Sequence, residues 1–229
     1  MKYIEILEAF ETEIGVINNI KKPLTTDSLF WLNQAVSKFV KLRFNGDFVH
    51  KTSYEQNEKR RNDLINLYKN TVYKRFDSID NTNVKFDRYE LTYPEDFLFV
   101  LDENTLITGI INSDMHYTGV FECTSDSFMY RVNNSLTDFH YKYGVARPIR
   151  IRTATGCALL TDKQYQILEY SLSYLREPNK ITLDSPFDEY TDFDNITMCE
   201  IIKIAAQMYL ENTGSQRYNS MTQEVMTQE

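Results

Sequence analysis

Apolar positions follow a helical period up to about residue 83 and a strand period beyond it. Tyr3, Leu7, Phe10, Ile14 and Ile17 recur by four and three, which predicts a first helix with a narrow apolar stripe. After Pro23, any of Thr26, Asp27 or Ser28 can cap a second helix. Its face is Leu29, Leu32, Val36, Phe39 and Val40, widened by Phe30 and Trp31 enough to predict burial on two sides, and Asn45-Gly46 stops it. A third helix is predicted from near Ser53. Its early part, YEQNEKRRND, is charged, and Leu64, Ile65, Tyr68 and Val72 supply a later apolar face. Asp77 to Asn83 reads as a loop.

The period changes near Val84. FLFVL, TLITGII, YTGVFEC and SFMYRV are short aromatic and β-branched runs bounded by Asn, Asp, Ser or Gly, and each reads as a strand. IRIRT follows Pro148, CALLT follows Gly156, and Asp162-Lys163 can turn the chain into YQILEYSLSYL. Thr161 and Gln164 have the spacing of a helix cap before this last run. Leu168, Tyr170, Leu172 and Tyr174 nevertheless alternate, and the hairpin-like neighbours favour a strand. DSPFDEYTDFDN then reads as an acidic, solvated linker. The final helix follows, with Thr197 and Glu200 at capping-box spacing and Ile196 and Ile201 at staple spacing. Met198, Ile201, Ile202, Ala205, Met208 and Tyr209 make its face, and Gly214 is its expected stop.

These elements predict an α+β fold. A small helical bundle forms from the N-terminal helices and the C-terminal helix, with an antiparallel β domain inserted. The expected segments are 1–83 for the first part of the bundle, 84–185 for the β domain, 186–214 for linker and last helix, and 215–229 for an extended arm. The arm ends in a duplicated MTQE, has few apolar anchors and is too polar to fold alone.

A chain of 229 residues with 42% hydrophobic content can bury a sizeable core. Its 16 Tyr and 14 Phe against 7 Gly suit large buried surfaces, subunit interfaces among them, and suit equally an A·T-rich coding bias. A net charge of −8 argues against a broad phosphate-gripping surface. No apolar run approaches the roughly 18 residues that span a bilayer, and the acidic start lacks the features of a signal peptide.

Candidate chemistry is sparse. His50, His116 and His140 lie in separate segments, and His140 within FHYKYG reads as a strand or loop residue. The 3 cysteines, Cys123, Cys157 and Cys199, form no C-x-x-C pair and read as buried or half-buried reduced thiols. Phosphate-binding glycine loops, nucleophile elbows and zinc-binding helix motifs are all missing. Asp184, Asp188, Glu189, Asp192 and Asp194 lack the spacing of a calcium loop. No catalytic, cofactor or metal residue is therefore assigned, and no cofactor is expected. Lys142, Arg147, Arg150 and Arg152 are the one basic concentration. On a strand, Arg150 and Arg152 share a face opposite Ile149 and Ile151, where they could meet acidic residues of a neighbouring subunit, touch nucleic acid or simply face solvent.

The final helix, with Glu200, Ile201, Ala205, Met208, Tyr209, Leu210 and Glu211 followed by Arg217 and Tyr218, resembles the C-terminal part of the ring proteins of crAss-like bacteriophages. A second matching piece is YLREPNKI, Tyr174 to Ile181, which in those proteins follows a β segment. They are head–tail connector, or tail adaptor, subunits built around a helical bundle with projecting loops or sheets. The resemblance implies a non-enzymatic virion protein made in the bacterial host cytoplasm. It would form a homo-oligomeric ring of twelve copies against the portal or a neighbouring ring or tail protein. Genome DNA would pass through its channel at ejection without sequence-specific binding, and no membrane is involved. The subunit-interface candidates are Arg150, Arg152, Tyr174, Arg176, Arg217 and Tyr218, the last two as anchors of the arm. The alternatives are a metal-assisted nuclease or hydrolase using scattered carboxylates, and a soluble β-rich binding module.

Overall fold

A computed structural model describes residues 1–15, 23–45, 58–110, 114–142 and 145–213. The chain divides into a helical unit, residues 1–67 with 178 onward, and a β unit, Tyr68–Glu177. The fold is α+β, with five helices and two sheets among the described residues and the β region inserted between helices.

In the helical unit, α1 (Tyr3–Gly15), α2 (Thr25–Asn45) and α5 (Asn195–Asn212) pack pairwise on one another, with a short α3 (Glu58–Asp63) and a single 3-10 turn at Ile65–Leu67. The expected stripes form the core. Leu7, Phe10 and Ile14 of α1, joined by Ile6, are buried, as are Leu32, Val36, Phe39 and Val40 of α2 and Ile201, Ile202, Ala205 and Tyr209 of α5. Phe10 meets Tyr209 edge-on at 6.3 Å. Phe30 is exposed and packs against Trp31, so the far side of α2 faces solvent instead of a second core. Because α2 begins at Thr25, the expected caps Thr26, Asp27 and Ser28 lie inside its first turn.

The capping box of the last helix does not form. Asp194 is the N-cap, its carboxylate accepting the Thr197 N–H at 2.7 Å. Starting the helix earlier turns Ile196 out to solvent and frees Glu200 for Arg43 at 2.6 Å and Lys59 at 3.2 Å. Arg43 also meets Asp63 at 3.0 Å, so one guanidinium ties α2 to α3 and α5.

The acidic segment before α5 keeps Asp184, Asp188, Glu189 and Asp194 exposed, as a solvated linker would, but it is anchored at several points. The Tyr3 and Ile4 N–H groups at the start of α1, which have no partner within the helix, donate to the Asp188 and Pro186 carbonyls. Tyr190 and Phe193 are buried, with Phe193 edge-on to Phe39 at 5.8 Å. Fully buried Asp192 accepts from the Asn179 N–H at 2.6 Å and from its side-chain amide at 3.1 Å. Asn33 of α2 brackets Ile181, donating to its carbonyl and accepting its N–H.

The β unit begins and ends earlier than the expected 84–185. The predicted third helix stops at Asp63, and Tyr68–Tyr73 is strand β1, the four-residue spacing of Leu64, Tyr68 and Val72 fitting a period of two as well. The 77–83 loop contains a short strand, β2 (Ser78–Asp80), paired with β3 (Asp87–Thr92). FLFVL and TLITG are one strand, β4 (Phe97–Gly109), whose register against its partner shifts three times, the irregularities lying on either side of the polar middle. YTGVFEC splits into β5 (Met115–Gly119) and β6 (Phe121–Glu122), which belong to different sheets. SFMYRV is not a strand. Phe128–Asn133 forms α4, which places Phe128 and Val132 together on the small cluster of Cys123, Phe139, Ile149 and Leu160. Then come β7 (Ile149–Arg152), β8 (Gly156–Thr161) and β9 (Tyr165–Arg176), the last the strand expected from its alternation.

The sheets run β1-β9-β4-β5 and β2-β3-β8-β7-β6, all pairs antiparallel except β6 with β7. Between them lies an aromatic core of Tyr89, Leu91, Leu159, Tyr165, Tyr170, Leu172 and Tyr174. Every residue of β8 is buried, as a strand covered on both faces requires. The Asp162-Lys163 turn links β8 to β9, crossing between sheets, with Lys163 at φ 65°. At Gly156 an added Cβ would sit 2.0 Å from the Leu91 carbonyl oxygen, so only glycine lets β8 approach β3 there.

Candidate functional site

Ile149 and Arg150 lie on opposite faces of β7, as the alternation of IRIRT predicts, Ile149 on the α4 side and Arg150 inward, between the sheets. The consequence differs from a basic surface strip: Arg150 is buried. Its guanidinium lies 3.2 Å from Glu103 of β4 and 2.7 Å from Glu122 of β6, and it donates to the Tyr93 hydroxyl at 3.3 Å. Tyr170 donates to the other Glu103 oxygen. One cation therefore bridges the two sheets, and a side chain so committed has no surface to offer a neighbour.

Burial shapes the ionisation here. It pushes Glu103 above the ordinary glutamate range, with Arg150 and the Tyr170 hydroxyl only partly opposing it. For Arg150 burial acts downward, but Glu103, Tyr93 and Glu122 outweigh it and keep the guanidinium charged. Burial also raises Tyr93 and Tyr170, so both stay protonated hydrogen-bond donors, and pushes Cys157 up to about 11. A polar cleft of about 350 Å³ opens beside the pair, with Asp102, Glu103, Glu122, Arg147 and Arg150 in its wall.

Three other candidates gather around Phe97 at one end of the unit. The Arg152 guanidinium lies 6.0 Å from the ring centre, Tyr174 lies 5.8 Å from it, and Arg176 pairs with Phe97 across β9 and β4. Tyr93 adds a ring at 4.2 Å. Tyr174 is buried, its hydroxyl donating to Asp96 at 3.0 Å, and Lys69 of β1 closes on the same carboxylate at 2.5 Å. Arg152 keeps an exposed side chain, and Arg176 is half-buried and donates to the Glu177 carbonyl. Arg217, Tyr218 and the whole 215–229 arm lie outside the described residues, as do Ile17, Gly46, His50, the expected helix start at Ser53, and Gly214.

Glu103, Tyr93, Asp96 and Phe97 were not singled out by sequence reasoning. The available signal was Glu103 itself, an acid in register with inward-facing Thr105 and Ile107 of a strand. His140 lies 3.7 Å from Asp162, whose carboxylate accepts the N–H of its neighbour Tyr141 and the Gln164 N–H of the turn, so of the expected strand or loop residue His140 is the latter. Among the described residues no group of three His, Cys, Asp or Glu could hold a metal ion, and no helix is long and apolar enough to cross a membrane.

Cys199 is exposed, in contrast to the expected buried or half-buried thiol, whereas Cys123 and Cys157 are buried as expected. A thiol-reactive chromophore should accordingly modify one cysteine quickly in the folded protein and all 3 after denaturation. Fast labelling at Cys157 would contradict the raised pKa and closed core described for it.

No protein-family model matches the chain, and no curated protein matches it either.

Proposed function

We propose that the chain is a structural subunit of a bacteriophage head–tail connector, a ring protein set between the portal and the tail or stacked on another ring. The observation that supports this best is the insertion. Both flanks of the β unit feed one helical unit, the plan that the resembled adaptor proteins share. The residues that carry the resemblance also have structural roles consistent with it. Ile201, Ala205, Tyr209 and Leu210 lie in the helical core, and Glu200 holds Arg43. The YLREPNKI piece runs from the Asp96-bound Tyr174 to Ile181, bracketed by Asn33.

In this reading the mechanism is geometric. Copies pack side by side in a closed ring, twelve by similarity, and leave a channel through which DNA passes at ejection. A net charge of −8 suits a wall along which DNA slides without adhering. The exposed Arg152 is the described candidate best placed to meet a neighbour.

Native mass measurement of the full chain, alone and mixed with portal or neighbouring ring proteins, tests the reading, followed by electron microscopy of the assemblies. A closed cyclic oligomer is expected. Particles carrying isolated or two-fold copies would remove the ring assignment, and metal-dependent turnover of nucleic acid would favour a hydrolytic role instead.

A further inference from the structure

The free edges of the four-stranded sheet are β1 and β5, and among the described residues no strand pairs with the outer side of either. Open edges are templates for pairing unless Pro, charge or a covering element blocks them. Neither strand contains Pro, and the lysine within β1, Lys69, is drawn to Asp96.

The exposed apolar side chains of both edges share a face. Tyr68, Asn70 and Val72 pair with Leu175, Ser173 and Ser171 of β9. Ser173 and Ser171 pair with Asp102 and Asn104 of β4, and Asn104, Leu106 and Thr108 pair with Gly119, Tyr117 and Met115 of β5. Side chains directly opposite in a ladder lie on one face. Tyr68 and Val72 (46% and 48% exposed) and Met115 and Tyr117 (67% and 70%) therefore flank the same outer face.

Strand direction supplies the second condition. All three pairings in this sheet are antiparallel, so β1 and β5, at the ends of four alternating strands, run in opposite directions. A second copy's β1 laid beside β5 continues the alternation with no strand reversed.

We propose that β5 of one copy pairs antiparallel with β1 of the next, so that the sheet continues from subunit to subunit. The inference rests on the ring reading above and names its contact. It is a heterologous, head-to-tail interface, the kind that generates rings. Charge separates it from two-fold pairing of like edges. Lys69 and Lys74 are paired with Asp96 and Glu169 of the same subunit, so the charge this edge presents is the exposed Arg75, whereas the β5 edge opens with Asp114. Register parity is set as well. Keeping the apolar residues on one face puts odd-numbered β5 residues opposite even-numbered β1 residues, since a one-residue slip sends them to opposite faces. With Met115 opposite Val72, Gly119 faces Tyr68 beside the Arg147 guanidinium, Tyr117 faces Asn70, and Asp114 is one diagonal step from Arg75.

Cysteine cross-linking of the full chain tests this. Cys199→Ser removes the exposed native thiol, and Val72→Cys and Met115→Cys are added separately. Directly opposed antiparallel residues lie within disulfide reach. Mixing the two variants under mild oxidation should give linked dimers, neither variant alone should, and a chain with both changes should give a ladder. Tyr117→Lys, at an exposed site, should weaken assembly about tenfold or more without lowering the melting temperature. Rings seen by electron microscopy without the cross-link would overturn the edge pairing and leave the ring reading standing. A ladder from open, non-closing chains would support the edge pairing and remove the ring. Dimers from a single variant would show two-fold pairing and overturn the proposal, and monomers with no cross-link at high concentration would overturn both.

Discussion

Truncation after Thr191 is expected to abolish folding of the helical unit. The deletion removes α5, which buries Met198, Ile201, Ile202, Ile204, Tyr209 and Leu210. Burying one such side chain stabilises by about 1.5–3 kcal/mol, so the loss is on the order of 10 kcal/mol. A whole domain is stable by only about 5–15 kcal/mol, so little stability remains. The same cut exposes the faces of α1 and α2 that pack on α5 and leaves Arg43 with Asp63 but without Glu200. The point substitution Ile201→Ala, at a fully buried position, should cost about 2–5 kcal/mol by leaving a cavity. Urea titration followed by far-UV circular dichroism measures both effects. A truncated protein that kept its helical signal and a cooperative transition would show that α5 is an appendage.

Arg150→Ala should be the most damaging single change in the β unit. Glu103 has an 8% exposed side chain, and Arg150 is its nearby cation. Breaking a buried pair by removing one partner costs about 3–5 kcal/mol, because the remaining charge is stranded. The pH dependence identifies the cause. Glu103 titrates above its ordinary range when folded, so its contribution to stability is full below its unfolded pKa and falls as the pH rises through the folded one. Without Arg150 that pKa climbs further. The deficit of the variant should therefore be greatest at neutral pH and shrink below about pH 4, where the carboxyl is neutral in both states. Replacing both partners, as Arg150→Met with Glu103→Leu, should cost less than Arg150→Ala alone, since no charge is orphaned. Equal losses at both pH values would mean that the arginine acts through packing rather than charge.

Both predictions concern residues that the sequence marks unequally. Ile201 sits in a helical period visible in a single pass, because every turn of α5 buries the same face and that face is written in local spacing. Arg150 shows its alternation but not its destination. Whether the inward side of β7 meets solvent or a second sheet depends on Glu103 in a strand far away in the chain. The same distinction explains the misread segments. Tyr68–Tyr73 satisfies helical and strand spacing alike, and pairing with β9 decides it. Phe128 and Val132 become helical because a small cluster needs two side chains four residues apart, which a strand would place too far along the sheet. The acidic 184–195 segment is exposed at most of its carboxylates, as its composition suggests, but composition does not show how it is anchored. Its backbone carbonyls and Asp192 are consumed by donors at α1 and Asn179, contacts that composition does not encode.

By itself, then, the sequence determined the α+β class, the apolar faces of α1, α2 and α5, the strand identity of β9 and the insertion of a β region between helices. All of these follow from short-range periods of hydrophobicity, which fix which side of an element must leave water. Tertiary structure alone decided where the β unit starts and ends, which sheet each strand joins, the burial of Arg150 between two carboxylates, and the two open edges whose exposed apolar residues share one face. Each of those depends on partners distant in the chain, and pairing energy between distant segments leaves no trace in local spacing.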